Sequence, residues 1–158
     1  MTTTTWPKDT TAAKCAFYGD FRAKGWQEKY LTRIATPFQM YYAKHPIASI
    51  LVNKNCASAM LAAFNEIYER CGHDQVKVDA TGASDFGGCF NIRQIAGSKN
   101  YSNHSWACAI DLSPGSNGFN MKSTLSTVVI TAFKRQGALW GGDYKGRKDP
   151  MHFEFVSR

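Results

Sequence analysis

Two short stretches of this 158-residue chain place a histidine near a carboxylate: S-N-H-S-W-A-C-A-I-D, Ser102 to Asp111, and further on D-P-M-H-F-E, Asp149 to Glu154. Imidazole nitrogen and carboxylate oxygen are the ligands that zinc favours, and a catalytic zinc needs three protein ligands so that a fourth position can hold water. His104, Asp111 and His152 supply three. A histidine among aromatic residues is commonly a structural side chain, however, and short His/Asp patterns arise by chance. Spacing alone therefore leaves both readings open.

Strand periodicity sharpens the picture. With Met151 to Val156 extended, His152 and Glu154 point to one face while Met151, Phe153 and Phe155 point to a core. In the first stretch Trp106, Cys108, Ile110 and Leu112 share a face and Asp111 lies on the other. His104 has the wrong parity for a straight strand, so it must sit on the preceding loop or across a bulge to reach the same metal.

The elements that position these residues can be read in outline. The run Ile47 to Val52 is apolar and β-branched, as a buried strand is, and Asn53 or Asn55 can cap a following helix. That helix carries Met60, Leu61, Phe64, Ile67 and Tyr68 on one face and stops at Gly72. Val76, Val78 and Ala80 alternate with Lys77 and Asp79, which predicts a strand open to solvent on one side. Gly82, Gly87 and Gly88 predict loop. Ser123 or Thr124 can cap a second helix with Leu125, Val128, Val129, Ala132 and Phe133 on its apolar face and Gly137 at its end. The stretch Phe17 to Tyr42 mixes aromatic and basic residues around Gly19, Gly25 and Pro37, and predicts a partly irregular segment. The expected fold class is α+β: a single domain with a small antiparallel sheet carrying the metal site and helices packed on it, residues 46–158, preceded by an extension, residues 1–45, packed against it.

Length suits one ordinary domain, and composition is that of a globular protein. Five cysteines (Cys15, Cys56, Cys71, Cys89, Cys108) form no C-x-x-C pair and read as reduced, buried thiols. Met1 to Thr11 lacks the pattern of a secretory signal, and no apolar run approaches a bilayer span, so a soluble protein made inside a cell is expected. The net charge of +7 favours an anionic partner. Basic residues are scattered rather than grouped, and no nucleic-acid-binding motif accompanies them, so nucleic acid is not the expected partner.

The two stretches, together with Trp140-Gly141-Gly142-Asp143 between them, resemble the M15 family of zinc peptidases. That family's pattern is S-x-H-x-x-G-x-A-x-D, then W-G-G-D, then D/E-x-x-H continued as F-E. It is matched by Ser102, His104, Ala109 and Asp111, by Trp140 to Asp143, and by Asp149, His152, Phe153 and Glu154. The likeness is clearest from Gly87 to Phe155, and Ile47 to Cys71 is similar to the start of the family's domain. One departure is Ala107, where the family usually has Gly; a methyl there disfavours positive φ.

The resemblance implies Zn2+ held by His104, Asp111 and His152, with Asp149 as general base and Arg93 near the substrate carbonyl. It also implies that Ser102 and Glu154 orient the ligands, and that the Trp140 turn lines the cleft with Asp143 as a possible buttress. The substrate would be the peptidoglycan stem peptide, cut between L-Ala and D-Glu as in phage endolysins. The enzymatic alternative is D-Ala-D-Ala carboxypeptidase or dipeptidase action; a non-catalytic, zinc-containing wall-binding module is the alternative of another class. A monomer is expected, acting on the wall after release by a route such as a phage holin.

Overall fold

The computed structural model describes residues 5–158. In chain order the elements are α1 (Thr11–Tyr18), α2 (Trp26–Tyr30), β1 (Leu31–Ile34), β2 (Met40–Tyr42), β3 (His45–Ile47), β4 (Ile50–Asn53), α3 (Lys54–Arg70), α4 (Gln75–Thr81), β5 (Asp85–Gly88), β6 (Ala109–Leu112), α5 (Thr127–Arg135), β7 (Leu139–Trp140) and β8 (His152–Glu154). The architecture is α+β, as expected. A six-stranded sheet runs β3-β2-β5-β6-β8-β7, and β1 pairs with β4 in a separate ribbon. All pairings are antiparallel except β2 with β5, which is parallel, so the sheet is mixed at that one place.

Helices α3 and α5 pack on each other and supply the core behind the sheet. Asn53 caps α3 by accepting the Asn55 amide at 3.0 Å, and Met60, Phe64 and Ile67 are fully buried on its inner face. Phe133 of α5 stacks on Phe153 of β8 with ring centroids 4.6 Å apart and meets Phe64 edge-on at 5.4 Å. Each such buried side chain contributes roughly 1.5–3 kcal/mol. That apolar layer fixes β8 from behind, leaving its other face free for chemistry.

Several expectations are corrected. Residues 76–80 form part of α4, not a strand: Asp74 accepts the amides of Val76 and Lys77, Gly82 closes the helix in the left-handed region, and Val78 and Thr81 are buried one turn apart while Val76 faces solvent. The local cap chemistry outweighs the two-residue alternation. The run 47–52 is split between β3 and β4, which lie in different sheets. Gly87 and Gly88 lie within β5 rather than in a loop. A Cβ on Gly87 would press on Asp111 Cβ at 3.1 Å, so glycine lets β5 approach the strand that carries Asp111. The cap of α5 is Ser126; Ser123 and Thr124 instead bind the side chain of Asn117.

The stretch 17–42 is partly irregular, as expected, with α2, β1 and β2 set between turns at 19–25 and 35–39, and it joins the common core with α1. Tyr18 donates its hydroxyl to the Phe155 carbonyl at 2.7 Å, and Trp6, Phe21 and Trp26 are buried. None of the cysteines is in a disulfide; four are buried and Cys15 is half-buried. No helix among the described residues is long and apolar enough to cross a membrane.

Candidate metal centre and cleft

Strands β6 and β8 pair so that Asp111 lies directly opposite His152 and Ala109 opposite Glu154. Directly opposed residues share a face, so Asp111, His152 and Glu154 project together, while Ile110, Leu112 and Phe153 point into the core. His104 arrives from outside the strand, on a 3-10 turn spanning Asn103–Trp106, which resolves its parity. The Ser102 hydroxyl accepts the His104 amide at 3.3 Å and caps this turn. Ala107 then takes φ 53°, ψ 35°. It thus adopts the left-handed geometry for which glycine is better suited, at a cost of about 1–2 kcal/mol.

Ligand-bearing atoms of His104, Asp111 and His152 all lie within 4.8 Å of one another. Hydrogen bonding fixes which imidazole nitrogens are free. His104 Nδ1 lies 2.8 Å from the Cys89 carbonyl, which can only accept, so Nδ1 carries the proton. His104 Nε2 is then buried with no hydrogen-bond partner, although Asp111 Oδ2 is 3.2 Å away. A bare nitrogen facing a carboxylate oxygen calls for a cation between them. His152 Nε2 lies 3.0 Å from Glu154 Oε2, and its Nδ1 lies 2.9 Å from Asp111 Oδ1. The donor set N, O, N with one orphaned buried nitrogen fits zinc.

Charge is concentrated here. Burial opposes the charged form of His152, but hydrogen bonds to Asp111 and Glu154 outweigh it and lift the metal-free imidazole to about 10. Burial likewise opposes ionisation of Asp111, yet the two histidines beside it hold it well below the usual carboxylate range. Glu154 is held down to about 2, because His152, Tyr144 and Arg158 together outweigh its desolvation. Asp149 differs: burial pushes its carboxyl up, only partly offset by the charge of His152, and its Oδ1 is buried without a hydrogen-bond partner.

A cleft of about 710 Å³ is lined by His152, Glu154, Asp149 and Arg93, among others, and His152 is the one candidate ligand in its wall. Arg93 is exposed, and its segment is tied to the histidine turn by the Ser102 amide bonding the Arg93 carbonyl at 2.9 Å and by the Ser105 hydroxyl accepting the Arg93 amide at 3.1 Å. The Trp-Gly-Gly turn holds Asp149 in place. Trp140 donates its indole N–H to the Pro150 carbonyl at 2.8 Å, and the Asp149 amide bonds the Gly141 carbonyl at 2.9 Å. Asp143, by contrast, is exposed and pairs with Lys134 at 2.5 Å, with no hydrogen bond to any of the three candidate ligands.

The model of a family described as D-alanyl-D-alanine carboxypeptidase matches residues 96–155. This stretch carries the M15 pattern. The match spans His104, Asp111, the Trp140 turn, Asp149 and His152, and so supports a peptidase at family level. No curated protein and no solved structure matches the chain.

Sequence reasoning missed Asn103 and Tyr144. Asn103 Nδ2 donates to Glu154 Oε2 at 2.7 Å and the Tyr144 hydroxyl donates to Oε1 at 2.7 Å. Asn103 sits inside the first motif, between the cap and the ligand, which was the one available signal; Tyr144, just past the Trp-Gly-Gly-Asp turn, offered none.

Proposed function

We propose that this protein is a zinc-dependent peptidase that cleaves the peptide stem of peptidoglycan between L-Ala and D-Glu. The observation that carries the reading is the convergence of His104, Asp111 and His152, the last of which lines a cleft together with Asp149 and Arg93.

His104 Nε2, an Asp111 oxygen and His152 Nδ1 would hold zinc, which would supply the Lewis acidity that acidifies water and polarises a scissile carbonyl. Asp149 is the base. Its carboxyl, raised by burial and free of a partner at Oδ1, accepts a proton from the attacking water and returns it to the departing amine. Arg93 offers fixed guanidinium donors to the oxyanion or to a substrate carboxylate. Glu154 keeps His152 oriented, and the net positive charge of the chain suits an acidic wall polymer.

A second reading, release of D-Ala as a carboxypeptidase, is favoured by the description of the matching family. The two differ in product. Digestion of purified peptidoglycan followed by mass spectrometry is expected to yield new N-terminal D-Glu groups with intact glycan strands. Free D-Ala or D-Ala-D-Ala as the main product would replace the endopeptidase reading with the second one, and no released peptide at all would leave only a wall-binding role.

A further inference from the structure

Lys14 of α1 is an ammonium in an unusual place: the residue is only 4 % exposed, and it lies in a helix outside the stretch matched by the family model. Its Nζ lies 2.8 Å from Asp9 Oδ1, 2.7 Å from Asn103 Oδ1 and 4.3 Å from the centre of the Trp106 ring. Buried charges are retained only when paired, and Asp9 provides the pair. The bond to Asn103 has a further effect.

An ammonium can only donate, so it dictates that the oxygen of the Asn103 amide faces Lys14. The NH2 group must then face the other way, onto Glu154 Oε2 at 2.7 Å. That same oxygen lies 3.0 Å from His152 Nε2. An ionised carboxylate can only accept, so Nε2 keeps its proton for Glu154, and when a metal replaces the proton that Nδ1 shares with Asp111, Nδ1 is the nitrogen left to bind it. Three contacts thus connect the first helix to one imidazole ring.

We propose that Lys14 is a positioning residue for the metal centre: through Asn103 and Glu154 it holds His152 in the tautomer and orientation that binds zinc. The proposal rests on the zinc reading of His104, Asp111 and His152. It makes the N-terminal helix part of the site rather than a covering on it, and it predicts that a chain cut after α1 binds zinc poorly.

The test is zinc affinity of the full chain, measured by competition with a chelator, alongside thermal unfolding. Lys14→Met is expected to weaken zinc binding on the order of 10-fold, the range for removing an outer partner of a metal-bound histidine. Lys14→Arg, which keeps a donor, restores most of it. A purely structural role is separated by a cycle with Glu154→Gln: once Glu154 is altered, Lys14→Met lowers zinc affinity no further, although it still lowers the unfolding temperature. Wild-type affinity in Lys14→Met, or a full additional loss in the Glu154→Gln background, overturns the proposal. Should Lys14→Met fail to fold, Asn103→Ala breaks the relay with the Lys14–Asp9 pair intact and is read in the same way. Failure of the wild-type chain to bind zinc would instead overturn the metal site itself.

Discussion

A single methyl group at Gly141 should separate positioning of the base from binding of the metal. A Cβ built there collides with the carbonyl oxygen of Asp149 and falls 3.0 Å from its C and Cβ, where ordinary contact begins at 3.4 Å. The φ of Gly141 is not in the left-handed region, so the effect of Gly141→Ala is steric rather than conformational. The obstacle is backbone and cannot swing away, so the loop carrying Asp149 must retreat by on the order of 1 Å, straining its 2.9 Å bond to the Gly141 carbonyl. Misplacing a catalytic group by ~1 Å costs about 10²-fold in rate, or ~2.7 kcal/mol of transition-state stabilisation. The accompanying strain is worth about 1–3 kcal/mol of stability. Zinc should remain, because His152 is held by strand pairing with Asp111 and by Glu154. Steady-state cleavage of a stem-peptide substrate, with zinc content measured on the same sample, reads both effects. Gly146→Ala is the control, since nothing lies within 4 Å of a Cβ there. Full turnover in Gly141→Ala, or equal losses in the two variants, would refute the idea that this turn sets the position of Asp149.

Other outcomes follow from the same site. Asp149→Asn keeps its zinc and loses about 10²–10⁴ in kcat, because an amide cannot accept the proton from water; near-wild-type wall lysis would place the base elsewhere, with Glu154 the first alternative. Arg93→Ala lowers kcat/KM by roughly 10²-fold on the stem peptide with zinc content unchanged, and an unaltered kcat/KM would remove Arg93 from the mechanism. In the chelator-treated protein, His152 is raised from 6.5 to about 10, so its contribution to stability is complete below pH 6.5 and is lost as pH rises toward 10. Glu154 is lowered from 4.5 to about 2, so its contribution is complete above pH 4.5 and is lost as pH falls toward 2. Denaturant titrations should therefore place maximum stability of the metal-free protein between about pH 4.5 and 6.5, and a flat profile from pH 6.5 to 10 would contradict the His152 assignment.

What could be read from the residues alone depended on range. Spacing alone left the roles of His104, Asp111, Asp149 and His152 open, and they were named from the resemblance in three ordered motifs; the structure brings His104, Asp111 and His152 within 4.8 Å of one another, and the face of β8 followed from period two. Helices α3 and α5 were legible because their apolar stripes are long. The short α4 was not: seven residues give too little periodicity to distinguish a helix from alternating Val76, Val78 and Ala80, and the deciding information was in its caps, Asp74 and Gly82. Nor could the run from Ile47 to Val52 announce that it divides between two sheets, since each half pairs with a strand earlier in the chain. The surroundings of Glu154 were the least accessible. Asn103 reaches it across 51 positions and Lys14 reaches Asn103 across 89, and no local pattern records such contacts.

Anomalous diffraction at the zinc edge from crystals of the full chain locates the metal and its ligands in one measurement. One peak per chain is expected, bounded by His104 Nε2, Asp111 and His152 Nδ1, and no peak in crystals of His152→Ala. A peak bound by other residues, or an undiminished peak in that variant, would contradict the ligand assignment.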